Sequence, residues 1–93
     1  MSLVTEVPRR IDFQRIGGRS SSRLTRVKVN GEVVIPKTRS PFAIFGALVV
    51  QGWSGKVELW KDGKLFGERN IEAEARRVIA AHDRLEFRKR RYR

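Results

Sequence analysis

The chain predicts an α+β fold: a small single domain with a hairpin-rich antiparallel sheet, one amphipathic helix and basic flexible ends. Three observations predict it. Asn30-Gly31 and Asp62-Gly63 each sit between alternating apolar residues, and these residue pairs best tolerate the positive φ that a two-residue type I′ hairpin turn requires. One stretch, Ile71 to about His82, carries apolar residues at helical spacing. The charge is uneven: of a formal net +11, residues 1–39 hold +6, residues 40–87 are neutral and Arg88 to Arg93 hold +5. The organisation that follows is a flexible basic arm over 1–22, an α+β body over 23–87 and a basic tail over 88–93. A chain of 93 residues is one domain that buries about two thirds of its unfolded surface in a single modest core.

The first 22 residues set Pro8, Gly17-Gly18 and a Ser20 to Ser22 run among Arg9, Arg10, Arg15 and Arg19, with Arg23 following. Ile11, Phe13 and Ile16 are the principal apolar anchors. Such a segment buries too little surface to offset its ordering entropy, so an arm is expected, with a short edge strand near Ile11 to Arg15. Leu24 to Ile35 reads as a hairpin about Asn30-Gly31. In that register Val27 faces Val34, and Arg26 and Lys28 fall on the opposite surface beside Ile35 and Val33. Pro36 has no N–H to donate and is expected to end the pairing.

Phe42 to Val50 (FAIFGALVV) admits two readings. Ser40-Pro41 suits a helix start and Gly52 a helix end. Gly46 and Val49-Val50 weaken a helix, and a short apolar run bounded by turn residues suits a strand covered on both faces, which is the expectation adopted. Either way the segment is apolar all round, which favours contact with another copy and so a homo-oligomer or larger assembly. Val57 to Phe66 forms a second hairpin about Asp62-Gly63, pairing Trp60 with Leu65 and Leu59 with Phe66. Asn70 caps the helix that follows. There Ile71, Ala75, Val78, Ile79 and His82 share one side, Glu72 and Arg76 are spaced as an ion pair, and Glu72 and Glu74 complement the positive helix start. Leu85 and Phe87 alternate with Glu86 as a short strand does.

From Lys56 to Asp83 the order is strand, Asp-Gly-Lys turn, strand with Gly67, Asn70, then an EAEARRVIAA helix. This resembles the last two strands and helix of the three-stranded AP2-type DNA-binding domains and their integrase relatives. The resemblance covers under a third of the chain. The family's Arg-rich first strand has no counterpart where Phe42 to Val50 lies, so no base-reading residue carries over.

Several chemistries are excluded by residue type. The chain has no cysteine and one histidine, which removes disulfides, Cys-based zinc or iron–sulfur sites and His-cluster metal sites. His82 beside Asp83 lacks the nucleophile or metal and the orienting partner that catalysis needs; it is better placed as a group facing the last carbonyls of a helix. Neither Gly17-Gly18 nor the Gly46 to Gly52 spacing brings the Lys and Ser/Thr of a phosphate-binding loop. No enzymatic activity, metal or cofactor is expected. Leu3, Val4 and Val7 are interrupted by polar residues, unlike a secretion signal, and Pro41 to Val50 is too short for a bilayer core of ~30 Å. A cytoplasmic location, or one inside a nucleoprotein particle, follows.

What remains is the charge. Fifteen of the 21 cations are Arg, whose planar fork grips a phosphate through two parallel hydrogen bonds where Lys acts as a point charge. A GC-rich coding sequence also enriches Arg, and many surface cations are simply solvated. The expected partner is nucleic acid, DNA or RNA, bound through its phosphates by Arg9, Arg10, Arg15, Arg19, Arg23, Arg26, Lys28, Arg88, Lys89, Arg90, Arg91 and Arg93, with Tyr92 able to stack on a base. Trp53 and Trp60 are also able to stack on bases, but core packing is the expectation for both, Trp60 beneath the helix. A second expectation comes from another class: a structural subunit of a virion-like or ribosome-like particle, with Phe42 to Val50 as a subunit contact.

Overall fold

The structure, a computed structural model, describes residues 4–17 and 24–80. Five strands and two helices follow one another as β1 (Arg10–Ile16), β2 (Leu24–Val29), β3 (Glu32–Thr38), α1 (Ala43–Val50), β4 (Lys56–Lys61), β5 (Lys64–Asn70) and α2 (71–80). They make one mixed sheet in the order β3-β2-β1-β4-β5, with β1 and β4 parallel and every other pair antiparallel. The α+β class is therefore correct. The expected all-antiparallel sheet with one helix becomes a mixed sheet with two.

Both hairpins form at the expected dipeptides. Asn30 and Gly31 take φ of 52° and 85°, and Asp62 and Gly63 take 48° and 80°, the doubly positive pattern of a type I′ turn. Their side chains also do something further. The Asn30 Oδ1 accepts the N–H groups of Arg9 and Arg10, and its Nδ2 donates to the Val7 carbonyl. At the other end of β1, Asp62 Oδ1 accepts the Arg15 N–H and the Asp62 N–H donates to the Phe13 carbonyl. The two turn residues thus grip β1 from both ends.

This is why the edge strand expected near Ile11 to Arg15 is instead the central strand. Ile11 and Phe13 are buried between β2 and β4, and the surface they bury there offsets the entropy that argued for a disordered arm. Residues 4–9 are tied to the body as well, through the bond from Val4 N–H to Gln51 Oε1 and that from Trp53 Nε1–H to the Val4 carbonyl. Arg19, Arg23, His82, Leu85, Phe87 and the tail 88–93 lie outside the described residues.

The strand expected at Phe42 to Val50 is a helix. Its end is a Schellman motif: Gly52, at φ 92°, donates to the Val49 carbonyl and Trp53 N–H donates to the Leu48 carbonyl. The physical demand comes from topology. β3 and β4 are parallel but separated by β2 and β1, so the connection must cross three strand spacings, about 14 Å, and an eight-residue helix spans about 12 Å. Ile44, Phe45 and Leu48 are buried by that crossing.

Trp60 pairs with Leu65 as expected, and bulges change the neighbouring pairs in both hairpins. Val27 pairs with Ile35 and Lys28 with Val33, leaving Val34 as the extra residue. Leu59 pairs with Gly67 and Trp60 with Leu65, leaving Phe66 extra. Pro36 lies within β3, not at its end, because an edge strand has one side where no donor is needed. Asn70 caps α2 by accepting the Ala73 N–H at 2.9 Å. No Glu72–Arg76 ion pair forms; Glu74 lies within ion-pair distance of Arg69 and Arg77 instead.

The core lies on one side of the sheet. Ile11, Phe13, Val27, Val29, Val57 and Leu59 point from the three central strands toward Ile44, Phe45 and Leu48 of α1 and Ile71 and Ala75 of α2, all in one buried cluster. The alternate residues of the same strands project from the opposite face, against which no described helix packs.

Candidate nucleic-acid interface

That opposite, open face is built by strand parity. Arg10, Asp12 and Gln14 come from β1, Arg26 and Lys28 from β2, and Glu58 and Trp60 from β4. Strand pairing arranges them in rows. Asp12 lies opposite both Lys28 and Trp60, and that row ends in Val33 on β3 and Leu65 on β5. Gln14 lies opposite Arg26. Arg10 lies opposite Glu58, which in turn faces Glu68.

At the centre of the face Arg10 reaches across to Trp60, its Cζ 3.8 Å from the ring centroid. The guanidinium is held there by Asp12, with Nε donating to Oδ2 at 2.9 Å and Nη2 donating to Oδ1 at 3.0 Å. That hydrogen bond raises the Arg10 guanidinium above its ordinary pKa, so the group is a permanent cation. The indole N–H donates to Glu58 Oε1 at 3.2 Å. Asp12 is 8% exposed, whereas Arg10 keeps 44% of its side-chain surface. Trp60 is thus half-buried on the open face and not beneath a helix as expected. The alternation of β4 contains the signal: Val57 and Leu59 point inward, so Trp60 must share the outward face with Glu58. Trp53, in contrast, packs against the core as expected.

The expected phosphate contacts do not form one patch. Arg9 and Arg15 lie at opposite ends of β1, six residues or about 20 Å apart. Arg9 lines a cleft with Glu6, Asn30 and Trp53. Arg15 lines an open cleft of about 310 Å³ with Phe13, Thr25, Lys61 and Asp62 on the helix-bearing side. Beside that second cleft, Lys61 Nζ lies 4.3 Å from the Phe66 ring centroid and 5.6 Å from that of Phe42, a cluster that sequence reading missed because it depends on the Phe66 bulge. Arg26 and Lys28 share the open face. Among the described residues, Arg10 has a carboxylate partner within 4 Å, and Arg9, Arg15, Arg26 and Lys28 have none. Of the net +11, +6 belongs to residues outside those described.

Among the described residues no group of three or more His, Cys, Asp or Glu is placed to hold a metal ion. No helix among them is long and apolar enough to cross a membrane. Comparison with protein-family models, with curated proteins and with solved structures finds no significant match for this chain. The β4–β5–α2 segment, read from sequence as resembling AP2-type domains, sits in a different setting. The strand beside β4 is β1, parallel and distant in sequence, and the element that precedes β4 in the chain is the helix α1, not a strand.

Proposed function

We propose that the protein is a non-enzymatic nucleic-acid-binding protein whose affinity comes mainly from phosphate contacts. The observation that carries this reading is the set of exposed or half-exposed cations, Arg9, Arg15, Arg26 and Lys28, that no described carboxylate neutralises within 4 Å. The cations of the tail, Arg88, Lys89, Arg90, Arg91 and Arg93, add to them, as do Arg19 and Arg23. Arg10 takes a different part, because two of its donors are committed to Asp12. Phosphate contacts displace condensed counterions, so log affinity for duplex DNA is expected to fall steeply with log salt. Deleting Arg88 to Arg93 is expected to reduce that slope by up to ~4. Binding that is indifferent to salt would contradict the proposal.

A subunit of a nucleoprotein assembly is the second reading. Val50 is 88% exposed beside half-exposed Val49 at the end of α1, an apolar spot available to a neighbour. The contact is smaller than the whole of Phe42 to Val50, since Ile44, Phe45 and Leu48 are consumed by the chain's own core. Light scattering that finds a monomer at high protein concentration excludes it.

A further inference from the structure

We infer that the open face of the sheet is a platform for single-stranded nucleic acid, on which an unpaired base stacks upon the Arg10–Trp60 pair while Lys28 and Arg26 hold the adjoining phosphates. This rests on the nucleic-acid reading above and specifies its ligand.

Among the described residues no element covers this face, yet it carries a tryptophan. Here the ring is neither buried in the core nor left loose. Arg10 lies over it at 3.8 Å, and the paired bonds to Asp12 fix the guanidinium in place. Bases stack on Arg planes as well as on aromatic rings, and a group already held in position loses little entropy when it does so. The guanidinium retains its Nη1 hydrogens for the ligand. Leu65, directly opposite Trp60 and 56% exposed, extends the apolar surface toward β5.

Charge sets the direction of the bound strand. Lys28 lies in the same row as Trp60, two strand spacings or about 10 Å away, and Arg26 lies further along β2. Of the acidic side chains on this face, Asp12 is bound by Arg10 and Glu58 by the indole N–H, while Glu68 stands beyond on β5, with Lys56 the cation on β4. A phosphate chain is therefore expected to favour the β2 side, where Lys28 and Arg26 have no carboxylate within 4 Å among the described residues. A duplex offers no free base plane for the pair, so duplex binding is left to the cations elsewhere and is expected to be indifferent to Trp60.

The test uses intrinsic fluorescence of the full chain. Trp53→Phe keeps an apolar ring at the half-buried site and leaves Trp60 as the sole indole of two. An oligothymidine is expected to quench Trp60 emission strongly, and inorganic polyphosphate or a DNA duplex of equal charge to quench it little. In the wild-type background, Trp60→Leu is expected to weaken oligothymidine binding by about 5- to 100-fold and polyphosphate binding less than twofold. Oligothymidine that binds with Trp60 emission unchanged overturns the platform and leaves the polyanion reading standing. Equal quenching by the duplex overturns its preference for single strands. Absence of binding to any probe at low salt overturns both proposals. Should Trp60→Leu fail to fold, the Trp53→Phe titration decides alone, since it alters nothing on the open face.

Discussion

The two faces of this sheet are made by the same strands and obey opposite rules. On the covered face, the central rows are aliphatic or aromatic and pack against the helices, and charge enters only at the end where Arg15 and Lys61 flank Phe13. On the open face, polar, charged and apolar side chains share the rows, and order comes from specific pairings: Arg10 with Asp12, Arg10 over Trp60, Trp60 with Glu58. Stability is thus assigned to one face, and the proposed recognition to the other. Side chains on the covered face determine whether the chain folds. Those on the open face and at the strand ends are free to meet a partner without weakening the core.

That separation is open to direct attack, most severely at Leu59. This side chain is fully buried on the covered face one residue before Trp60. Leu59→Ala is expected to cost about 2–5 kcal/mol of stability, read by urea denaturation, through lost burial and the cavity left behind. Polyanion affinity of the molecules that remain folded should be unchanged. A large loss of affinity at full folding would show that the two faces are coupled.

The turn that binds β1 to the body comes next. Asn30→Gly preserves the positive φ and so the hairpin, but removes the hydrogen bonds to Val7, Arg9 and Arg10. A loss of about 1–2 kcal/mol is expected, these bonds being exposed. Faster amide exchange at Arg9 and Arg10 should accompany it, with little change along β2. Gly52→Ala tests the helix stop alone. A Cβ there meets nothing within 4 Å, so the expected loss of about 1 kcal/mol is the backbone cost of a left-handed conformation. The smallest stability effect belongs to the open face: Arg26→Ser with Lys28→Ser should move stability by no more than about 0.5 kcal/mol. The same double change should lower the salt slope of single-strand binding by roughly 1.4, so charge and folding are seen to part.

Much of this was legible in the chain. The Asn-Gly and Asp-Gly turns carry their geometry in two residues each, and Asn70 before an apolar-periodic run marks a capped helix. These are local signals. What the sequence concealed is tertiary. Ile11 and Phe13 look isolated among arginines until β2 and β4 close on either side of them, which is a pairing between residues that are far apart in the chain. Gly52 marked a helix end, yet β-branched Val49 and Val50 argued for a strand. The crossing from β3 to β4 decides the matter, and nothing within nine residues announces a crossing. The bulges at Val34 and Phe66 shift register by one residue and leave no compositional trace. Of the candidate contacts, Arg26 and Lys28 were placed correctly on the surface away from Val27. In the sequence Arg10 looks like any other free cation, because its tie to Asp12 and Trp60 needs the parity of two strands at once.

A map of backbone and indole amide shifts, recorded as a single-stranded oligothymidine is added at low salt, tests the open-face platform head-on. The largest changes are expected on Arg10, Arg26, Lys28 and the Trp60 indole N–H, with the buried residues of α1 silent. Changes confined to the α1 side of the sheet, or none at all, would contradict that platform.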